Sequence, residues 1–236
     1  MRVLRGDGPP IKIGHRGAAA IAPENTLEAL RAGIAERCEY IEFDVLAEAN
    51  GDLVLAHSRH EVPRTRATLD DALELLAGAG VGAHVDLKER GLEERVAAAL
   101  RDHGLLERSL VSSLDWSALR DLRRHEPSLR VGLSYPEDRY GLAGRRTFTP
   151  LLAAGLGAMK RALPRLVGRW LDRAQASAAV VHRQLVTPAL ISTCHARSTA
   201  VWAWTVNDEA EAARLVDWGA DAIITDDPRI LGRSLS

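Results

Sequence analysis

The fold turns on the stretch Tyr40-Ile41-Glu42-Phe43-Asp44-Val45. In an extended strand successive side chains point to opposite faces, so Glu42 and Asp44 share one side while Ile41, Phe43 and Val45 take the other. The apolar side is suited to packing against helices. Two carboxylates on one strand repel each other and lose hydration, so the acidic side needs a compensating cation or hydrogen-bond donors. A hard divalent cation, Ca²⁺ or Mg²⁺ with Mn²⁺ as a further candidate, meets that need with oxygen ligands; an arginine-paired network is the other answer.

Working outward, further β-rich runs start near Ile11, Val81, Ser109, Leu129, Ala179, Ala200 and Asp221, and periodic helical stretches separate most of them. Together with the run at Tyr40 these make eight strand candidates. Eight units share 236 residues, about 30 apiece, which is the length of a β-α-β repeat. The pattern predicts an α/β fold, a (βα)₈ TIM barrel, with residues 1–236 forming one domain. Helix ends are readable as well. Thr26 is placed to cap a helix over 27–37, and Thr68 one over 69–76 that Gly78 stops. Asp115 opens a Trp116, Leu119, Leu122 stripe closed by Pro127, and Asn207 opens the last crossover helix. Residues 135–177 fit the period least well. They predict a βα loop with one or two helices, locally basic through Arg139, Arg145, Arg146, Lys160, Arg161, Arg165, Arg169 and Arg173. A solvated helix face accounts for that charge; an insertion that covers or widens the pocket as a lid is the alternative.

Composition narrows the function classes. With 46% hydrophobic and 27% charged residues the chain can bury a large core, and a formal charge of -1 supplies no global field for nucleic acid or for an anionic membrane. Two cysteines, Cys38 and Cys194, read as buried free thiols rather than a disulfide scaffold or a zinc site. The first residues carry no signal-peptide pattern and no apolar run reaches 18 residues, so the expectation is a cytoplasmic protein without a transmembrane segment. The near-neutral surface carries no marker of a particular oligomeric state.

The chemistry-bearing residues gather at the expected carboxyl ends of strands, where a barrel presents its active face. The first run ends in Gly14-His15-Arg16-Gly17. The run from Val81 places His84, Asp86 and Lys88 on one side, so Asp86 can complete a set of metal ligands with Glu42 and Asp44, while Lys88 can hold a phosphate oxygen. After the turn at Asn50-Gly51, a short extended segment delivers His57. Two imidazoles near a cation can divide proton transfer between a nucleophile and a leaving alkoxide, which suits phosphate-ester cleavage, with Arg16 and Lys88 balancing the phosphoryl charge. His60 reads as exposed and dispensable. Trp202 reads as barrel packing and Trp204 as a pocket wall. The last strand, Asp221 to Asp226, reads as structure more than chemistry.

Gly14-His15-Arg16-Gly17, Ala22-Pro23-Glu24-Asn25-Thr26, Glu42-Phe43-Asp44, His57, Trp204-Thr205-Val206-Asn207 and Asp221 to Pro228 together resemble the glycerophosphodiester phosphodiesterase family over nearly the whole chain. The resemblance implies a metal-dependent barrel that hydrolyses glycerophosphodiesters to glycerol phosphate and an alcohol. It makes His15 and His57 the acid/base pair and Glu42, Asp44 and Asp86 the metal ligands. It makes Arg16, Glu24, Asn25 and Lys88 substrate-site residues. Attack by water and attack by the neighbouring glycerol hydroxyl, through a cyclic intermediate, both agree with it. Three departures stand out. Asp86 occupies a position where the family generally has Glu. His57-Ser58 replaces a His-Asp pair. Only 28 residues separate His57 from Asp86, which implies a smaller cap and a more open pocket. A phospholipid or lysophospholipid phosphodiesterase of the same barrel type, with transient lipid contact, is the alternative enzyme; a catalytically weakened glycerophosphodiester-binding protein is the alternative without turnover.

Overall fold

The structure is a computed structural model that describes residues 1–59, 67–136 and 150–232. Nine strands run in chain order: β1 (Ile11–Gly14), β2 (Tyr40–Ala47), β3 (Leu53–Leu55), β4 (Gly82–Leu87), β5 (Ser109–Ser113), β6 (Arg130–Tyr135), β7 (Ala178–His182), β8 (Ala200–Trp204) and β9 (Ala222–Thr225). Eight of them are parallel neighbours in the order β1, β9, β8, β7, β6, β5, β4, β2, and β1 pairs with β2 to close the barrel. β3 stands outside this ring, antiparallel to β2 through Val45↔Leu55 and Ala47↔Leu53. The helices are α1 (Leu27–Ala35), α2 (Leu69–Ala79), α3 (Glu93–Asp102), α4 (Trp116–His125), α5 (Pro150–Ala174), α6 (Pro188–His195) and α7 (Glu209–Asp217). A 3₁₀ turn over Pro228–Leu231 follows β9 in place of an eighth helix.

Alternation along the strands sorts side chains into two cores. The outward set, with Ile41, Phe43 and Val45 of β2 and Val85 and Leu87 of β4, packs under the helices, as the sequence predicts. The inward set fills the lower barrel with Ile11, Ile13, Tyr40, Leu110, Val180, Trp202 and Ile224. One step further along each strand the interior becomes polar: His15 after β1, Glu42 and Asp44, His84 and Asp86, Ser112, Ser134, His182, Trp204. The lower apolar layers are a packed plug, and the polar layer above them is the floor of a site at the carboxyl ends of the strands.

Several helix ends follow the sequence. The hydroxyl of Thr26 accepts from Ala29 N–H, and Thr68 and Asp71 form a reciprocal capping box at α2. Two ends differ. The chain continues through Gly78, and Gly80, in the left-handed region at φ 71°, terminates α2. The last crossover helix is capped by Asp208 rather than Asn207, because the Asn207 side chain is engaged with Asp226 and Thr225. Region 135–177 contains one continuous helix of 25 residues running through Pro164. The lid expected of it falls partly on residues 137–149, and His60 on 60–66; both lie outside the described residues. Cys38 and Cys194 are free and buried, and burial pushes both thiols up to about 12. Among the described residues no helix is long and apolar enough to cross a membrane.

Candidate active site

The β1–α1 loop wraps over the ends of β1 and β2. Arg16 and Asn25 both adopt left-handed backbone, φ 48° and 57°, and the loop holds them there by hydrogen bonds. Arg16 N–H donates to Glu42 Oε2 at 2.7 Å, Asn25 N–H to the Arg16 carbonyl at 3.0 Å, and Gly17 N–H to the Glu42 carbonyl at 2.9 Å. A side chain at Gly17, φ 93°, would meet the Ala29 backbone at 2.5 Å, so only glycine lets the loop sit against α1.

Parallel register sets Glu42 beside His84 and Asp44 beside Asp86. Carboxylate oxygens of Glu42, Asp44 and Asp86 come within 4.8 Å of one another, with Glu42 and Asp44 buried and Asp86 partly so. Asp86, despite its shorter side chain, reaches the cluster. Its Oδ1 accepts from Ser112 Oγ at 2.5 Å and from Ser134 Oγ at 3.4 Å, two hydroxyls that follow from the same inward alternation on β5 and β6.

Two cations face the three acids. Lys88 Nζ lies 2.6 Å from Asp44 Oδ1 and 2.5 Å from Asp86 Oδ2. Arg16 Nε lies 3.1 Å from Asp44 Oδ2 as an ion contact without hydrogen-bond alignment, and its Nη1 donates to Glu24 at 2.7 Å. Both cations are held charged: burial works against them, but the carboxylates, Asp44 foremost, outweigh it and raise their pKa values. Burial also opposes ionisation of Asp44, yet Lys88, His57 and Arg16 hold it well below the usual carboxylate range. Glu42 goes the other way, pushed up to about 7 by burial and then by the charge of Asp44. When all three carboxylates are ionised, Lys88 and Arg16 leave one formal negative charge in surplus. An all-oxygen, all-carboxylate donor set with surplus charge fits a hard divalent cation, so the residues match the metal they imply.

Barrel closure brings in a residue at the end of the last strand, which the sequence reads as structure more than chemistry. Gly14 pairs with Thr225, so the tips of β1 and β9 are neighbours, and Asp226 Oδ1 sits 2.6 Å from His15 Nδ1. Asn207 clamps that carboxylate, its Nδ2 donating to Asp226 Oδ2 at 2.5 Å and its Oδ1 accepting from Asp226 N–H at 2.9 Å. Asp226 is held below the usual range, chiefly by its bond to His15 working against burial. As an ionised acceptor it fixes the proton of His15 on Nδ1. Burial lowers the His15 pKa, but Glu42 and Asp226 reverse this and the net shift is upward. The signal available from sequence was the closure itself, which makes first and last strands adjacent in any such barrel.

His57, past the end of β3, has Nδ1 at 3.2 Å from Asp44 Oδ2 and 3.0 Å from Arg16 Nη2. Asp44 thus supplies the carboxylate that the His57-Ser58 pair lacks. The two contacts are alternatives, because Nδ1 donates to Asp44 in one tautomer and accepts from Arg16 in the other. Asn25 uses both ends of its amide on Asp44, Nδ2 donating to Oδ2 at 3.0 Å and Oδ1 accepting from Asp44 N–H at 3.1 Å. Its contacts are those of a support for Asp44. Glu24 is exposed at the rim, and Trp204, half-buried, stacks edge-on against His182 at 5.3 Å. Beneath the cluster, burial pushes His84 down to about 4, leaving it a neutral packing residue against Trp202.

The model of the glycerophosphoryl diester phosphodiesterase family matches residues 15–148 and 84–230. The chain belongs to that family. It is similar to a glycerophosphodiester phosphodiesterase of Caldanaerobacter subterraneus, 24% identical over 93% of this chain and 95% of that protein. Among solved structures it resembles an Oleispira antarctica phosphodiesterase in complex with the product sn-glycerol-3-phosphate, with TM-score 0.75, 24% identity, and coverage of 95% and 96% of the two chains. A glycerophosphodiester phosphodiesterase of Agrobacterium tumefaciens gives TM-score 0.69 at 22% identity, over 94% and 98%. The expected (βα)₈ barrel and the expected family agree with these findings, and family membership makes the chain a phosphodiesterase.

Proposed function

We propose that this chain, acting as one domain over residues 1–236, hydrolyses glycerophosphodiesters to glycerol phosphate and an alcohol with one divalent cation held by Glu42, Asp44 and Asp86. The reading is carried by the convergence of those three carboxylates within 4.8 Å at the mouth of the barrel, with an imidazole on either flank. When bound, the cation would supply charge neutralisation at the phosphoryl oxygens.

The remaining roles belong to the chain's own residues. His15, with its Nδ1 proton fixed by Asp226, offers Nε2 as the general base. His57, with Nδ1 accepting from Arg16, carries its proton on Nε2 and donates it to the leaving alkoxide. Arg16 and Lys88 bind phosphate oxygens, exchanging part of their contact with Asp44 and Asp86 for the substrate. Glu24 orients the Arg16 guanidinium, Asn25 holds Asp44, and Trp204 walls the glycerol side of the pocket. The Oleispira protein's glycerol phosphate complex supports this substrate class.

The test is release of glycerol phosphate from a panel of glycerophosphodiesters by the native chain and by His15→Ala and His57→Ala. Each substitution is expected to lower kcat/KM by about 10² or more. Native rates in both variants would reject the assigned roles.

A further inference from the structure

The longest helix of the molecule does more than bridge two strands. β6 and β7 are parallel, so α5 runs back along the barrel wall and its amino-terminal part lies at the end that carries the acidic cluster. Trp170 of α5 packs on Tyr135, the last residue of β6, with ring centroids 5.4 Å apart. From Trp170 back to Gly155 the helix rises about 22 Å further, toward and past the tips of the strands at 1.5 Å per residue, with Leu163 and Val167 of that stretch still buried in the core. This overhang carries an open groove of about 330 Å³ lined by Tyr135, Gly155, Met159, Ala162, Leu166 and Trp170 among others. Met159 is 37% and Leu166 41% exposed, large apolar side chains facing water beyond the barrel. Two further exposed apolar residues, Ile21 and Leu114, lie in loops at the same rim, after β1 and β5.

Charge supplies the second observation. Arg161, Arg165 and Arg169 follow one another at four-residue spacing on exposed positions beside that stripe. Among the described residues none of the three has a carboxylate partner, in a chain whose total formal charge is -1. At the opposite end of the barrel, beside the exposed Leu4 and Trp218, Arg2 is paired with Glu39 and Arg214 with Glu211, while Arg5, without a carboxylate partner among the described residues, donates to the Val216 carbonyl. An exposed apolar stripe flanked by unpaired guanidinium groups is the pattern of a helix that lies in a headgroup layer, its apolar side chains in the acyl boundary and its cations on lipid phosphates.

We propose that α5 docks the side of the barrel, next to its active end, onto an anionic lipid surface, with Met159 and Leu166 inserted and Arg161, Arg165 and Arg169 on the phosphates. The active site thereby opens beside the layer from which lipid-derived phosphodiesters come. Docking of this kind is independent of turnover.

Flotation of the full chain with phosphatidylcholine vesicles, with and without about one third phosphatidylglycerol, tests it. The native chain is expected to float only with the anionic vesicles and to be released by 0.5 M salt, set to shorten the Debye length to a few ångströms. Arg161→Glu, Arg165→Glu and Arg169→Glu combined, and separately Met159→Ser with Leu166→Ser, should each lower the bound fraction about tenfold or more. All five sites are exposed, and a thermal melt confirms folding without recourse to activity. Equal flotation of the charge-reversed chain would overturn the proposal. So would absence of the native chain from anionic vesicles, including the case where Met159 and Leu166 instead hold together a dimer of this chain.

Discussion

The two imidazoles of the site come from regions built on different principles. His15 stands on the seam where β1 meets β9, its ring 16% exposed and tied to a carboxylate from the far end of the sequence. His57 stands beyond the small β3 hairpin, 38% exposed, beside an Asp44 that it shares with Arg16, Lys88 and Asn25. The seam is part of the closed ring of hydrogen bonds, whereas the hairpin is an addition to one strand of that ring, held at its far side by Leu55 N–H donating to the Ala67 carbonyl and by the bridge between Val54 and Thr68. A histidine with a private carboxylate has a fixed tautomer. One that shares its partners can exchange tautomers as the charges around it change.

That contrast can be broken at its stronger side first. Asp226→Asn replaces the anion with an amide that can present its NH₂ to Nδ1, so the proton is no longer fixed there. The expected loss in kcat is about 10²-fold with little change in KM. The pH dependence sharpens the assignment. His15 acts deprotonated, and Glu42 and Asp226 raise its pKa above the ordinary value, so kcat/KM falls as pH drops through that raised value. Removing Asp226 takes away one of the raising groups, and the acid limb moves to lower pH. A loss of rate with an unmoved limb would mean that Asp226 serves structure only.

The weaker side calls for a smaller perturbation. Thr68→Ala removes the cap of α2 at the place where the hairpin is anchored. It should cost about 1 kcal/mol, or roughly 2–4 °C in Tm, read by thermal unfolding. Turnover within about twofold of native is expected because the seam is untouched. A large drop in kcat would show that the position of His57 depends on the end of the hairpin more than this account allows.

The sequence made legible what repeats or alternates. Eight strand starts, the inward placement of Glu42, Asp44 and Asp86, and the burial of Trp202 all follow from a period of two along strands and about thirty along the chain. What stayed hidden depends on closure in three dimensions. Asp226 lies 211 positions from His15, and nothing local to either residue announces the contact. Asn207 looked like a cap because asparagine before a helical run usually is one, but the same side chain clamps Asp226, and Asp208 caps the helix instead. Gly78 looked like a stop because a helix interior gains nothing from glycine, yet the left-handed turn that ends α2 falls two residues later. The overhang of α5 was similarly out of reach, since its length relative to β6 is visible only when both are placed.

The central claim is that three carboxylates from two neighbouring strands hold one divalent cation where the phosphodiester is cut. Glycerophosphodiester turnover by the chelated chain, followed as Ca²⁺, Mg²⁺ or Mn²⁺ is restored alongside Glu42→Gln, tests it most directly. The account predicts that chelation abolishes native turnover, that one equivalent of a divalent ion per chain restores it, and that Glu42→Gln needs far more ion for the same rate. Undiminished turnover after exhaustive chelation would contradict it.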